Sequence, residues 1–340
     1  MHPRDILVGA QAATGFLPVC DHYSGVEARM RKSLALQAEL TEEFGACVFD
    51  VTLDCEDGAP VGGEVDHAEM VSTLMQEALA NARSGGQPAA RIAVRVHPVD
   101  HPGFQTDLRI LLPGAGSALC HLMIPKVESA ADLDRVVGAI DQVSSDPAAR
   151  ALPLHALVES AAAVHRAFEI AAHPRVQSVS FGLMDFVSSH GGAIPLHGMS
   201  GKGQFTHPLV VRAKLEIASA CHANAKVPSH CVVTEFRDLD SLTAAAKIAA
   251  GDLGYTRMWS IHPGQIRPIL EAFAPAQRDI ETAAEIIARA RQADWAPIDF
   301  GGQLHDRASY RYFWHILERA QRTGRVMPAA VRDYFVPVLS

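Results

Sequence analysis

The chain has 340 residues, 48% of them apolar, and a net charge of −8 from 30 basic and 38 acidic side chains. That apolar share supports a sizeable core, in one large barrel or two ordinary domains. The acidic balance, with no basic block of five or more, excludes nucleic acid and anionic membrane as main partners, while leaving room for a local basic pocket.

The N-terminus, "MHPRDILVGAQAATGFLPVC", lacks a basic region followed by a long apolar core and is not read as a signal peptide. No run of 18 apolar residues exists, so no membrane span is expected. Six dispersed cysteines (20, 47, 55, 120, 221 and 231) form no CxxC. Cys47, Cys120 and Cys231 lie in apparent strands, and all six are expected to be reduced and mostly buried in a cytoplasmic protein.

Strand-like apolar runs recur along the chain. They are "GFLPVC" (15–20), "ACVFDVTLD" (46–54), "RIAVRVH" (91–97), "LCHLMIPK" (119–126), "LPLHALVE" (152–159), "VQSVSFGL" (176–183), "VPSHCVV" (227–233) and "YTRMWSIHP" (255–263). Amphipathic stretches such as "DHAEMVSTLMQEALANAR", "SAADLDRVVGAIDQV" and "DSLTAAAKIAAGDLG" alternate with them at helical spacing. Eight strands alternating with helices predict a (β/α)8 TIM barrel over residues 1–274. An open doubly wound sheet fits less well, since no GxGxxG follows the first strand. Residues 275–340 form a C-terminal helical extension, with helices expected over 276–293 and 306–323 around the turn-rich "DWAPIDFGGQLHD". Such an extension packs on the barrel or reaches a neighbouring subunit.

The second strand leads into "DVTLDCEDGAP", which gathers Asp50, Asp54, Glu56 and Asp57. Unpaired buried carboxylates cost several kcal/mol each, so the cluster is expected at a strand mouth facing a polar pocket. The other strand ends supply Arg95, Lys126 with Glu128, Glu159, Asp185 and His262. In a barrel of this kind such ends carry the chemistry. Glu159 and Asp185 are two hard carboxylates on adjacent strands and suit Mg²⁺ or Mn²⁺. They can equally cap the following helices, as Glu128 is expected to do. Arg95 can clamp a substrate carboxylate and a developing oxyanion, or simply pair with the acidic cluster. The 17 histidines form no HExxH or other close ligand pair, so a zinc site is not expected. "GGAIPLHGMSGKGQ" lacks GxxxxGK[ST] spacing and reads as a loop over the site, with Lys202 and Lys214 available for an anion. Cys55 is assigned to packing.

Taken in order, "VTLDCEDGAP", "VRVHP", "LMIPKVESAADL", "LVESAAAV", "VSFGLMDF" and "RMWSIHPGQI" resemble the HpcH/HpaI aldolase and citrate lyase β-subunit family over roughly residues 45 to 320. That family includes malyl-CoA and citramalyl-CoA lyases. The resemblance implies a Mg²⁺-dependent carbon–carbon lyase acting on an acyl-CoA or 2-oxo acid. Glu159 and Asp185 would be its metal ligands. Arg95 would be the catalytic and substrate-binding arginine, held by Glu56 and Asp57, with Asp54, Lys126 and His262 beside the substrate. Asp306 is similar to a tail aspartate that serves as general acid/base in a neighbouring subunit, in a homotrimer or hexamer. The sequence departs from the family in three places: the N-terminal strand lacks the arginine that helps bind CoA esters, His97 replaces an asparagine, and Ser160 stands in "ESA" for "ETA". The first departure keeps open an aldolase acting on free 2-oxo acids. A citrate lyase β-like subunit active only in a complex, and a barrel that merely binds small acids, are the remaining readings.

Overall fold

A computed structural model describes residues 2–9, 17–85, 90–115 and 119–335. Eight parallel strands close into a barrel in chain order: β1 (Cys20–Ser24), β2 (Phe49–Asp54), β3 (Ile92–Arg95), β4 (Leu119–Ile124), β5 (Leu154–Val158), β6 (Val176–Phe181), β7 (Val227–His230) and β8 (Arg257–Ser260). β1 closes the ring by pairing with β8, Cys20 opposite Met258. This is the (β/α)8 TIM barrel that the alternating pattern predicts.

Seven of the expected strand runs contain their strand. The first is displaced: β1 begins at Cys20, where the expected run ends, and residues 15 and 16 lie outside the described residues. The apolar Leu17 and Val19 are buried before the strand starts. β1 itself reads "CDHYS" because it faces a polar barrel interior. Cys47 and Cys231 flank β2 and β7 rather than lying in them, and only Cys120 of the three is in a strand. All six cysteines are free, with Cys47 and Cys120 half-buried and the others buried.

Helices between strands bury one face each against the sheet. In Ala130–Val143 the buried positions are Leu133, Val136, Ala139 and Ile140, which fall on one face at helical spacing. That helix is capped by Ser129 with Asp132 in a capping box, not by Glu128 as expected; Glu128 instead accepts a hydrogen bond from Ser160 Oγ at 2.8 Å.

Beyond the barrel, helices Gln277–Gln292 and Arg307–Arg322 pack on each other around their own core of Ile280, Ile287, Tyr310, Trp314 and Leu317. The turn-rich stretch between them forms an antiparallel hairpin, β9 (Ile298–Phe300) with β10 (Gln303–His305). A short N-terminal helix, Pro3–Leu7, joins the same core through Leu7 and an Arg4–Glu318 ion pair at 3.0 Å. No helix among the described residues is long and apolar enough to cross a membrane.

Candidate active site at the barrel mouth

The carboxylates of "DVTLDCEDGAP" separate into two layers. Asp50 and Asp54 share the inward face of β2 but lie four residues apart, roughly 13 Å along a strand. Asp50 therefore falls in the lower barrel, not at the mouth as expected. There Arg257 Nη2 reaches Asp50 Oδ2 at 2.7 Å and Asp21 Oδ2 at 2.9 Å, and Arg91 Nε reaches Asp50 Oδ1 at 2.5 Å. The paired cations hold Asp50 well below the usual carboxylate range against the opposing effect of burial. His121 and His155 complete the layer, stacked with ring centroids 3.4 Å apart, and burial holds both neutral, His121 down at about 3. Asp21, His121 and His155 lie close enough to suggest a metal site. The near-parallel imidazole planes, 12° apart, cannot aim their in-plane lone pairs at one ion, and Arg257 already occupies Asp21. This layer is an internal ion-pair network. Above it, Met123, Leu157 and Trp259 form an apolar plug with Tyr23 packed against it.

The mouth lies above that plug. Arg95, the last residue of β3, donates from Nε to Asp54 Oδ1 at 2.6 Å and from Nη2 to Asp54 Oδ2 at 3.0 Å. Asp54 is itself fixed by Tyr23 Oη at 2.6 Å and by the backbone N–H of Gly58 at 2.6 Å. Arg95 also contacts Glu56 at 2.9 Å and Asp57 at 3.0 Å, and its cation lies 5.0 Å above the Tyr23 ring. Despite burial, Asp54 and Glu56 hold this guanidinium firmly charged. Lys126 pairs with Glu56. Its backbone has φ +51°, a left-handed conformation costly for lysine, and its N–H donates to Glu159 Oε2 at 2.9 Å.

Glu159, just past β5, is 7% exposed. Burial, with the neighbouring charges of Asp185 and Glu56, pushes its carboxyl up from 4.5 to about 8. Asp185 lies in the first turn of helix Leu183–Ser188, immediately after β6. Gly182 makes the approach possible: a Cβ there would fall 2.4 Å from Glu159 Cγ and 2.5 Å from Oε1. Five carboxylates (Asp54, Glu56, Asp57, Glu159, Asp185) thus share the mouth with two cations, Arg95 and Lys126. The hard oxygen donors, the surplus of negative charge and the glycine cradle fit a divalent cation such as Mg²⁺ held by Glu159 and Asp185.

Two residues called for this site lie apart from that cluster. His262 follows β8, exposed, accepts the Gly264 N–H at 3.1 Å and stacks on Phe236. Asp306 caps helix Arg307–Arg322, accepting from the N–H groups of Ala308 and Ser309. That helix faces residues at the starts of the strands, such as Val176, Val227 and Thr256, across a cavity at the end opposite the mouth. Lys214 is not available to an anion as expected: it is fully buried, bonded to Gln204 and His230. Two residues escaped the sequence reading. Tyr23 lies in a stretch read as past its strand, and Gly182 was quoted in "FGLMDF" without a role.

The profile of the HpcH/HpaI aldolase/citrate lyase family matches residues 33–263. The chain belongs to this family. Membership makes it an enzyme, a carbon–carbon lyase. Among relatives, it is 30% identical over 300 residues to the L-malyl-CoA/beta-methylmalyl-CoA lyase of Cereibacter sphaeroides, covering 83% of this chain and 91% of that one. A solved citrate lyase from Burkholderia xenovorans LB400 is 45% identical, with a TM-score of 0.77 and 99% of each chain covered. The CitE protein of Mycobacterium tuberculosis, solved with magnesium, acetoacetate and coenzyme A, shares the fold at 22% identity and a TM-score of 0.63, covering 89% of this chain and 98% of that one.

Proposed function

We propose that this HpcH/HpaI-family enzyme is a Mg²⁺-dependent lyase that cleaves or forms a β-hydroxyacyl-CoA such as malyl-CoA, citramalyl-CoA or citryl-CoA. The observation carrying this reading is the mouth's excess of carboxylates, where burial and the charges of Asp185 and Glu56 push the Glu159 carboxyl up to about 8. The similarity to a malyl-CoA lyase and to a citrate lyase supports the substrate class.

Glu159 and Asp185 would hold the cation, which when bound supplies Lewis-acid polarisation of a substrate oxygen. Arg95, locked by the Asp54 fork, binds the substrate carboxylate or the developing oxyanion. Asp57 is the contact a substrate anion displaces, because its side chain is 67% exposed and Asp54 is wholly buried. Lys126 keeps Glu56 oriented and adds a second positive charge. Cleavage leaves an enolate carbon that needs a proton. Asp306 of a neighbouring copy is assigned that transfer, in a homotrimer or hexamer, because in its own chain it begins a helix on the far side of the barrel.

A second reading, an aldolase on free 2-oxo acids, draws on β1: its mouth end offers Tyr23 and Ser24 and no arginine for a CoA phosphate. The deciding assay follows carbon–carbon cleavage by purified protein with Mg²⁺ and with chelator. Malyl-CoA, citramalyl-CoA and citryl-CoA are run beside free 4-hydroxy-2-oxo acids. Metal-dependent thioester cleavage supports the lyase, cleavage of only the free acids selects the aldolase, and silence on both overturns activity of the isolated chain.

A further inference from the structure

The floor of the barrel has the opposite charge to its mouth. A cavity of about 720 Å³ lies between the starts of the strands and helix Arg307–Arg322. Among its described lining residues, Arg4, Arg175, Lys226, Arg319 and Arg322 are cations, and Glu318 is the sole carboxylate. This gathering occurs in a chain whose net charge is −8. Glu318 already serves Arg4 at 3.0 Å, His315 at 2.9 Å and Arg322 at 3.6 Å. It lies on the tail helix, and its ion pairs go to Arg4, His315 and Arg322, not to the barrel-side cations Arg175 and Lys226. Arg175 spends its guanidinium on the Leu152 carbonyl, at 2.5 and 3.2 Å, and Arg319 Nε is buried without a hydrogen-bond partner.

Like charges gathered in a half-closed space repel, and removing them from water adds to the cost. The direction of that cost is visible in the groups themselves: burial depresses the affinity of Arg175, Lys226 and Arg319 for their protons, and takes Arg322 down to about 10. Such a cluster is stabilised when a multivalent anion enters, because guanidinium groups fork onto phosphate oxygens and a lysine adds a point charge. Cations on both walls, Arg175 and Lys226 on the barrel and Arg319 and Arg322 on the tail helix, would grip opposite ends of one ligand.

We propose that this cavity is a binding site for a small phosphate-bearing polyanion, which clamps the tail helix to the barrel floor. The site is separate from the mouth, at the other end of the strands, and does not depend on the assignment of substrate.

Isothermal titration of the full-length, metal-free protein with inorganic pyrophosphate tests it, with sodium chloride of matched ionic strength as the blank. Without metal the mouth is a surplus of carboxylates and repels the probe. Saturable binding of one pyrophosphate per chain is expected, with the dissociation constant raised about tenfold or more in Lys226→Gln and again in Arg319→Gln. Glu318→Gln, which removes the competing carboxylate, is expected to tighten binding severalfold, a gain that misfolding cannot imitate. Absence of saturation above the salt blank overturns the proposal, as does wild-type affinity in both charge-removing variants.

Discussion

In the lower barrel Asp21 and Asp50 face Arg91 and Arg257, two charges against two; at the mouth five carboxylates face Arg95 and Lys126. Both layers are built on a buried arginine–aspartate pair, Arg257 with Asp50 below and Arg95 with Asp54 above. The lower layer balances its own charges, with its histidines held neutral, so it has no surplus charge to offer a ligand. The upper layer is left short of positive charge, and burial with the charges of Asp185 and Glu56 pushes the Glu159 carboxyl up to about 8. An arginine–aspartate pair therefore says little by its presence. The charge balance around it separates scaffold from chemistry.

Changing one member of each layer gives the sharpest contrast. Glu159→Gln is expected to lower Mg²⁺-dependent turnover by about 10³-fold while the metal-free protein melts no lower than the parent, because the neutral amide replaces a carboxyl whose charged form burial disfavours. Rates measured alongside thermal scans check this; full activity in the variant removes Glu159 from the site. Arg257→Met should do the reverse, destabilising by about 3–5 kcal/mol through the stranded Asp21 and Asp50 carboxylates while turnover per folded molecule stays intact. Urea unfolding measures that loss, and a stable variant would mean that the lower layer is not the charge-balanced network described.

Asp306→Asn is expected to cost about 10²-fold in turnover with little change in melting temperature, since asparagine caps a helix as well as aspartate does. A parallel loss of stability and rate would make Asp306 a cap and nothing more. The smallest effect is graded with pH. Because the folded-state pKa of Glu159 lies above its ordinary 4.5, the metal-free protein is most stable while that proton is kept and loses stability as pH climbs to about 8. Mg²⁺ competes with the same proton, so its affinity should rise by up to about tenfold per pH unit and level off near pH 8. A flat profile would mean that the metal is held elsewhere.

Much of this was legible in the sequence, for identifiable reasons. Strands β2 to β8 announce themselves because their outward faces are packed under helices and read as apolar runs. β1 did not, since Asp21 and Tyr23 serve a polar interior, His22 on the opposite face bonds Ser260, and the apolar signal sits just before them. The hairpin β9–β10 is two three-residue strands on an exposed surface, with a composition indistinguishable from a turn. Asp54, Glu56, Asp57, Arg95 and Lys126 do converge, as the spacing of strand ends required. Asp50 was drawn into that group by proximity in sequence, which hides the length of a strand. Lys214 looked like a loop cation because full burial of a lysine is rare. The basic cavity was illegible, its members scattered from position 4 to position 322.

Gly182 and Glu159 occupy what is effectively one volume. A methyl group on the first would fall on the side chain of the second, so Gly182→Ala should force the carboxylate out or strain the β6 terminus. Shortening the partner at the same time makes room, and Glu159→Ala with Gly182→Ala should fold better than Gly182→Ala alone while remaining inactive. The two positions are thus tied as lesion and suppressor for stability, yet no such suppressor can restore catalysis. A selection for soluble protein and a selection for activity would pull this pair of codons in opposite directions.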